Sequence, residues 1–308
     1  MSPNIDNPAY LLTLLTGGLT NGVLYALVAL AIVLVYKTTS HINLAQGEMA
    51  TLGAFCVFEL TRHGVNVWLA IAIALVLSFF FGAGLERGLI RPLERRGVFP
   101  VILATLALFL IINAGVAIIW GTQPVAPPRP FPSGIDDKID LIGGAPPFFI
   151  THVSLGVLAV LVVLLLGLWL LLEKTKLGLG YRAVAANREA AEVMGIPVGR
   201  MYMFGWGIAA ALGTLAAALV AETAGALDFN SMGVILIFGL AAATLGGIDS
   251  VPGAAVGGLA LGLVMAVVPG LFTVIEGDLS LVIALLVVLV VLLVRPQGLF
   301  GTKTLERV

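Results

Sequence analysis

The chain has 308 residues, a mean hydropathy of +1.11 and only 11% Asp, Glu, Lys and Arg, where a soluble domain carries about a quarter. That composition excludes a soluble globule. The net charge of −1 carries no footprint of nucleic-acid binding, and the single Cys56 excludes an internal disulfide and a cysteine-based metal cluster.

Lipid offers a free backbone no hydrogen-bonding partner, so a segment that crosses a bilayer is a helix or part of a closed barrel. Several apolar runs approach or exceed the roughly 18–20 residues of a spanning helix. They are too long and too continuous for barrel strands, which alternate over about ten residues. The fold class is therefore an all-α polytopic membrane protein, expected as a single membrane-spanning domain over 1–308. The opening MSPNIDNPAY has no Lys or Arg and so lacks the basic region of a cleavable signal peptide. The first run is expected to stay as a helix. In chain order the spans fall at 10–36, 42–61, 66–85, 98–120, 148–172, 201–225, 231–248, 252–270 and 279–294. That makes nine, within an accepted range of eight to ten, and the glycine-broken 231–248 and 252–270 are short enough to be re-entrant or interrupted.

The second span opens on a polar cluster, HINLAQGEMATLGAF at 41–55. On one continuous helix Asn43 and Gln46 share a face, as do His41 and Glu48, whereas Gln46 and Glu48 point nearly apart. Asn43 as N-cap of a helix beginning at Leu44, with Gln46 reaching back, accounts for two of the polar residues. Glu48 then sits near the positive end of the helix dipole. An ionisable group inside a membrane faces a cavity or a partner, so Asn43, Gln46 and Glu48 are candidates for a translocation path or gate. Asn113, in the fourth span, is a neutral candidate.

Two loops exceed a turn. The one at about 121–147, rich in Pro, Gly and Asp, is expected as a cap without a fold of its own. The one at about 173–200 contains Arg182 to Met194, compatible with a short amphipathic helix that places Ala186, Ala190, Val193 and Met194 largely on one side. Gly195 ends it and Ile196-Pro197 sets the exit. Such a helix suits a partner's groove, and equally an ordinary connector on the membrane surface. Further on, ATLGGIDSVPGAAVGG at 243–258 interrupts an apolar region. Thr244, Gly246, Gly247, Asp249 and Ser250 there make either a tight interhelical loop or a discontinuity at a path or gate. The pairs Gly18/Gly22, Gly253/Gly257 and Gly258/Gly262 have the spacing of close helix packing.

Thirteen of the sixteen basic residues fall on one side if the spans alternate: Lys37, then Arg87 to Arg96, then Lys174 to Arg200, then Arg295, Lys303 and Arg307. Only Arg62, Arg129 and Lys138 fall on the other. The positive-inside rule then places the N-terminus outside and the C-terminus in the cytoplasm, in the plasma membrane of a prokaryote. His41, His63 and His152 lack metal-ligand spacing, and neither HExxH nor GxSxG occurs. GTKT at 301–304 lacks the order of a phosphate-binding loop. No enzyme chemistry is expected.

Three blocks bring a resemblance. NGVLYALVALAIVLVYKTTSHINLAQGEMATLGAF (21–55), NREAAEVMGIPVGRMYMFGWGIAAALGTLAAAL (187–219) and AAATLGGIDSVPGAAVGGLALG (241–262) together resemble LivH-type permeases, the membrane subunits of branched-chain amino-acid ABC importers. The resemblance covers nearly all of the chain and implies a type II ABC-importer-like bundle. It implies two ATPase subunits (LivF/LivG-like) that carry ATP and Mg, so that this chain binds no cofactor itself. It further implies a second permease subunit (LivM-like, or a second copy), an external substrate-binding protein (LivK/LivJ-like) and surrounding lipid. Glu189, Ala190, Ala191 and Gly195 match the family's coupling motif to the ATPase. Gln46 stands where many relatives have His, which removes a titrating group. Similar permeases move urea, amides and other amino acids, so the resemblance leaves the substrate open. A stand-alone secondary transporter of small polar solutes is the alternative; it has no need of a docking loop and calls for more intramembrane charge.

Overall fold

A computed structural model describes residues 8–134, 137–142, 148–271, 279–295 and 297–301. Part of the 121–147 loop lies outside the described residues, as do Lys303 and Arg307, on which the charge bias draws. The helices are α1 (Pro8–Thr39), α2 (Gln46–Arg62), α3 (Val67–Leu85), α4 (Arg91–Glu94), α5 (Val98–Trp120) and α6 (His152–Lys174), then α7 (Lys176–Ala186), α8 (Arg188–Val193), α9 (Val198–Ala224), α10 (Gly233–Gly246), α11 (Val251–Leu271) and α12 (Leu279–Val294). Each expected span coincides with a helix. Among the described residues six are long and apolar enough to cross a membrane, namely α1, α3 with its continuation to Glu94, α5, α6, α9 and α11; α2, α10 and α12 are shorter.

Three boundaries differ from expectation for local reasons. The third span does not stop at 85: a π-helical turn, Glu86–Ile90, carries it into α4. The fifth begins at His152, because Phe148–Thr151 is a strand (β2) paired antiparallel with Lys138–Ile142 (β1). Phe-Phe-Ile-Thr is an aromatic and β-branched run that suits a pleated ribbon, and Thr151 Oγ1 accepts the Ser154 N–H at 3.1 Å where the helix starts. The 121–147 loop is thus partly a hairpin. Finally, the amphipathic run at 182–194 is two helices, since Asn187 is extended (φ −158°, ψ 108°) and separates α7 from α8.

The chain forms two compact units, 1–29 with 131–161 and 237–308, and 30–130 with 162–236. In the first, the small-residue spacings act in packing. A Cβ on Gly22 would lie 2.9 Å from Leu259 Cα, one on Gly258 2.4 Å from Ala26 Cα, and one on Gly262 2.3 Å from Gly22 Cα. The start of α1 and α11 therefore meet backbone to backbone, as helices do where lipid supplies no hydrophobic drive. In the second unit α2 and α9 form the centre, flanked by α3 and α5. Gly53 faces Thr214, and Thr214 Oγ1 donates to Ser78 Oγ at 2.7 Å. Gly82 lies against the Trp206 carbonyl and Gly207 against Phe79. The outer sides of α3, α5 and α6 instead expose large apolar residues, among them Phe80, Ile118 and Val163, an arrangement fit for lipid.

Candidate functional site

The polar cluster at 41–55 is sorted by its hydrogen bonds. After α1 the chain turns at Ser40, which has φ 54°, and His41 lies before the helix instead of on it. Asn43 is not the N-cap. Helix α2 starts two residues later than expected, after Ala45, which makes no side-chain cap. Asn43 Oδ1 accepts the Ala45 N–H at 3.0 Å, a local Asx turn that delays the helix. Its amide donates to Gln46 Oε1 at 3.3 Å. Gln46 thus meets Asn43 side chain to side chain, not at its backbone N–H as a capping box would, and its Nε2 donates to the Ala209 carbonyl of α9 at 2.8 Å. Both residues are buried, and their bonds fix the entry of α2 against α9.

Glu48 is different. Its side chain is fully buried, with Oε2 accepting from Asn113 Nδ2 at 3.2 Å. The same amide nitrogen donates to the Phe229 carbonyl at 3.1 Å, joining α2, α5 and the loop after α9. Oε1 has no hydrogen-bond partner among the described residues. A carboxylate with one unused oxygen in an apolar bundle is costly, so this is where the polar cluster retains capacity for a ligand or a moving proton. The neutral candidate Asn113 is brought to Glu48 by the fold.

The second candidate lies wholly in the other unit. Helix α10 ends at Gly246, Gly247 takes φ 109°, and α11 starts at Val251. Ser250 Oγ accepts the Gly253 N–H at 3.1 Å and so caps α11. Thr244 Oγ1 is turned to the Leu240 carbonyl of its own helix. Asp249 is half-buried in the turn. A Cβ on Gly246 would fall 1.9 Å from the Gly253 carbonyl oxygen, so α10 and α11 touch at this point. The Leu299 and Phe300 N–H groups donate at 2.9 Å to the Leu245 and Gly246 carbonyls, closing the end of α10. Every interaction named here is internal to the loop and its cover.

The third candidate is the 173–200 loop. Thr175 caps α7 through the Gly178 N–H at 3.0 Å, and Tyr181 donates to the Leu34 carbonyl at 2.5 Å. Burial pushes the Tyr181 phenol well above its usual pKa, keeping it a neutral donor. Asn187 Oδ1 caps α8 by accepting the Ala190 N–H at 2.9 Å. At the other end Ile196 N–H bonds the Ala191 carbonyl, Gly195 N–H bonds the Glu192 carbonyl, and Gly195 has φ 78°. This is a Schellman termination, whose left-handed residue favours glycine. Ala191 is buried, Glu189, Ala190 and Gly195 are exposed, and Val193 and Met194 are 88% and 80% exposed. Two bare apolar side chains thus stand at the C-terminal end of a short helix capped at both ends.

Sequence reasoning missed Glu86, Arg91 and Glu94 as individual residues. Arg91 was only part of a basic flank, and its Nε and Nη2 straddle the Glu86 carboxylate at 2.9 and 2.5 Å.

Long apolar helices with apolar outer sides and a buried polar seam define a multi-pass helical membrane protein. The family described as branched-chain amino acid transport system / permease component matches residues 14–292, and the chain belongs to that LivH-type permease family. It is similar to the high-affinity branched-chain amino acid transport system permease protein BraD of Pseudomonas aeruginosa, 28% identical over 304 residues (96% of this chain, 97% of the relative). It is similar to LivH of Escherichia coli K12 at 27% over 310 residues (97% and 98%). A probable LivH of Methanocaldococcus jannaschii is 29% identical over 311 residues (96% and 94%). No solved structure matches the chain.

Proposed function

We propose that this chain is the transmembrane permease subunit of an ATP-driven ABC importer for branched-chain or related amino acids. It forms part of the translocation pathway and docks one cytoplasmic ATPase subunit. Two ATPase subunits (LivF/LivG-like) carry the ATP and Mg, and this chain carries no cofactor and no catalytic residue. A second permease subunit (LivM-like, or a second copy) completes the pathway, and an external binding protein (LivK/LivJ-like) delivers the amino acid. The chain sits in the plasma membrane of a prokaryote as one membrane domain, N-terminus outside and C-terminus cytoplasmic. The charge bias of the loops supports that orientation.

The observation that carries the reading is α8, a short capped helix with Glu189 and Ala190 exposed and Val193 and Met194 bare. A self-contained transporter has no need of such a feature. Within this reading Glu189, Ala190, Ala191 and Gly195 couple the chain to the ATPase. Asn43, Gln46, Glu48, Thr244, Gly246, Gly247, Asp249 and Ser250 are the path or gate candidates. Among them Glu48 has the unused oxygen, while Asn43 and Gln46 support it by holding α2 in place.

The test is leucine uptake by the complete complex in proteoliposomes. Glu189→Arg, or Gly195→Leu at its left-handed backbone position, is expected to abolish ATP-driven uptake while the protein remains folded and inserted. Unchanged uptake in both variants overturns the docking role. Transport by the purified chain without ATPase subunits would instead favour a secondary transporter.

A further inference from the structure

Three charged residues outside the candidate sites above, Glu86, Arg91 and Glu94, join with Arg188 of α8 to tie separate elements of one unit. Glu86, in the π turn, is completely buried and is gripped by Arg91. The same Arg91 Nη2 donates to the Gly199 carbonyl at 2.6 Å, at the first turn of α9. One turn further on, Glu94 Oε1 accepts from Arg188 Nη1 at 2.7 Å, at the first residue of α8. The Arg188 guanidinium also lies over the Tyr202 ring of α9, 5.3 Å from its centroid. An open polar pocket of about 260 Å³ lies beside these groups, lined in part by Arg95, Glu192 and Tyr202.

Two features distinguish these pairs from decorative surface salt bridges, which contribute little. The partners are far apart in sequence, 94 residues for Glu94–Arg188 and 108 for Arg91–Gly199, so each tie bridges elements that could otherwise move apart. The acidic partners are also covered: the Glu94 side chain is 13% exposed and that of Glu86 1%. Gly199 makes room for the arrangement, since a Cβ there would lie 2.7 Å from Arg91 Nη1. Helix α8 itself buries only Ala191, and Arg188 adds a charged tie from it to Glu94.

We propose that Arg91 and Glu94 form a two-armed clamp that holds the first turn of α9 and the start of α8 against the π-turned end of α3, and that this clamp carries movement of α8 into the membrane helices. The proposal rests on α8 being the ATPase-docking element. Glu86, Arg91, Glu94 and Arg188 are positioning residues: they touch no substrate, and they set how a displacement at α8 is passed on. A π turn suits the role, because such turns recur at functional sites.

The experiment compares ATP hydrolysis and leucine uptake by the complete complex in proteoliposomes. Arg188→Glu and Glu94→Arg are expected to co-purify with the ATPase subunits and to hydrolyse ATP. Their leucine taken up per ATP should fall about tenfold, the scale of a lost charge-assisted hydrogen bond. The double exchange, Arg188→Glu with Glu94→Arg, should restore most of the ratio. Gly199→Ala, which displaces Arg91 without adding charge, should lower it as well. Unchanged uptake per ATP in the single variants, or a double exchange no better than either single one, overturns the clamp. Should the reversals impair folding, Glu94→Gln and Gly199→Ala decide the matter, and a normal ratio in both overturns it too. Glu189→Arg separates the clamp from the reading beneath it. Full ATPase attachment and coupling with that variant means the docking role itself fails, and the clamp with it. Lost coupling there with normal clamp variants means the clamp alone fails.

Discussion

Arg91 is tied to Glu86 twice: its backbone N–H donates to the Glu86 carbonyl, and its guanidinium grips the Glu86 carboxylate. The first bond is the i→i+5 link of the π turn, and it creates the second. Side chains five apart diverge on an α-helix, where neighbours are three or four apart, but a π turn brings them to one side. Local backbone geometry thus assembles a buried ion pair from residues whose spacing carries no pairing signal.

Removing one partner of that pair should therefore cost more than an ordinary surface charge. Arg91→Ala leaves a carboxylate that is 1% exposed without its guanidinium, and a broken buried pair costs about 3–5 kcal/mol. Glu86→Gln keeps an acceptor for Arg91 and should cost less. Thermal unfolding of the purified protein in detergent, read for both variants, checks the order; wild-type midpoints in both would show the pair to be energetically idle.

A packing prediction concerns Gly53. A Cβ at this position would lie 1.9 Å from Thr214 Oγ1 and 2.7 Å from Thr214 Cβ. Thr214 is fully buried and hydrogen-bonded to Ser78, so it cannot swing aside. Gly53→Ala should force α2 and α9 apart and destabilise by about 1–3 kcal/mol, the usual cost of overpacking. Adding Thr214→Ala removes Oγ1 and Cγ2 but not Cβ, so rescue should be partial. A wild-type melting profile for Gly53→Ala alone would rule out the tight approach.

How much of this was legible beforehand depends on which physical signal each element leaves. Spanning helices were readable because a bilayer demands long apolar runs, and α5 and α12 fall where the sequence places them. Gly195 was readable as a terminator because a left-handed C′ position favours glycine. Asn187 was hidden inside an apparently continuous amphipathic run, although Asn is a strong N-cap; only the extended backbone there reveals two helices. At 41–55 the hydrogen bonds differ from those the sequence suggests. Asn43 turned the chain locally, and Gln46 found a carbonyl 163 residues away, a tertiary choice that no local pattern encodes. Asn113 was legible as an odd polar residue in a span, but its pairing with Glu48 needed the packing of α2 on α5.

That long-range bond of Gln46 invites its own test. Gln46→Ala removes the donor to the Ala209 carbonyl and opens space beside Gly213, where a Cβ would lie 2.7 Å from Gln46 Nε2. Interhelical hydrogen bonds in membranes contribute about 0.6–1.7 kcal/mol. The variant should lower stability by that order and leave transport of the folded fraction near normal. Lost transport at unchanged stability would move Gln46 from support of α2 to the pathway itself.

Glu48 gives the opposite expectation. Its Oε2 is held by Asn113 and its Oε1 is unpartnered among the described residues, so the carboxyl is positioned by one side and available on the other. Glu48→Gln preserves size, burial and an acceptor for Asn113 while removing the ability to carry charge. It should therefore assemble with the partner subunits yet lose most substrate uptake, on the order of tenfold or more if a charge-assisted contact of about 1.5–3 kcal/mol is made during transport. Asn113→Leu should act differently, since it removes the donor and leaves the carboxyl buried without it. Its loss should appear first in thermal stability and in complex yield. The two variants measured side by side separate the roles. A Glu48→Gln complex that transports normally would make the carboxyl a fixture of packing, and stability losses of equal size in both variants would lead to the same conclusion.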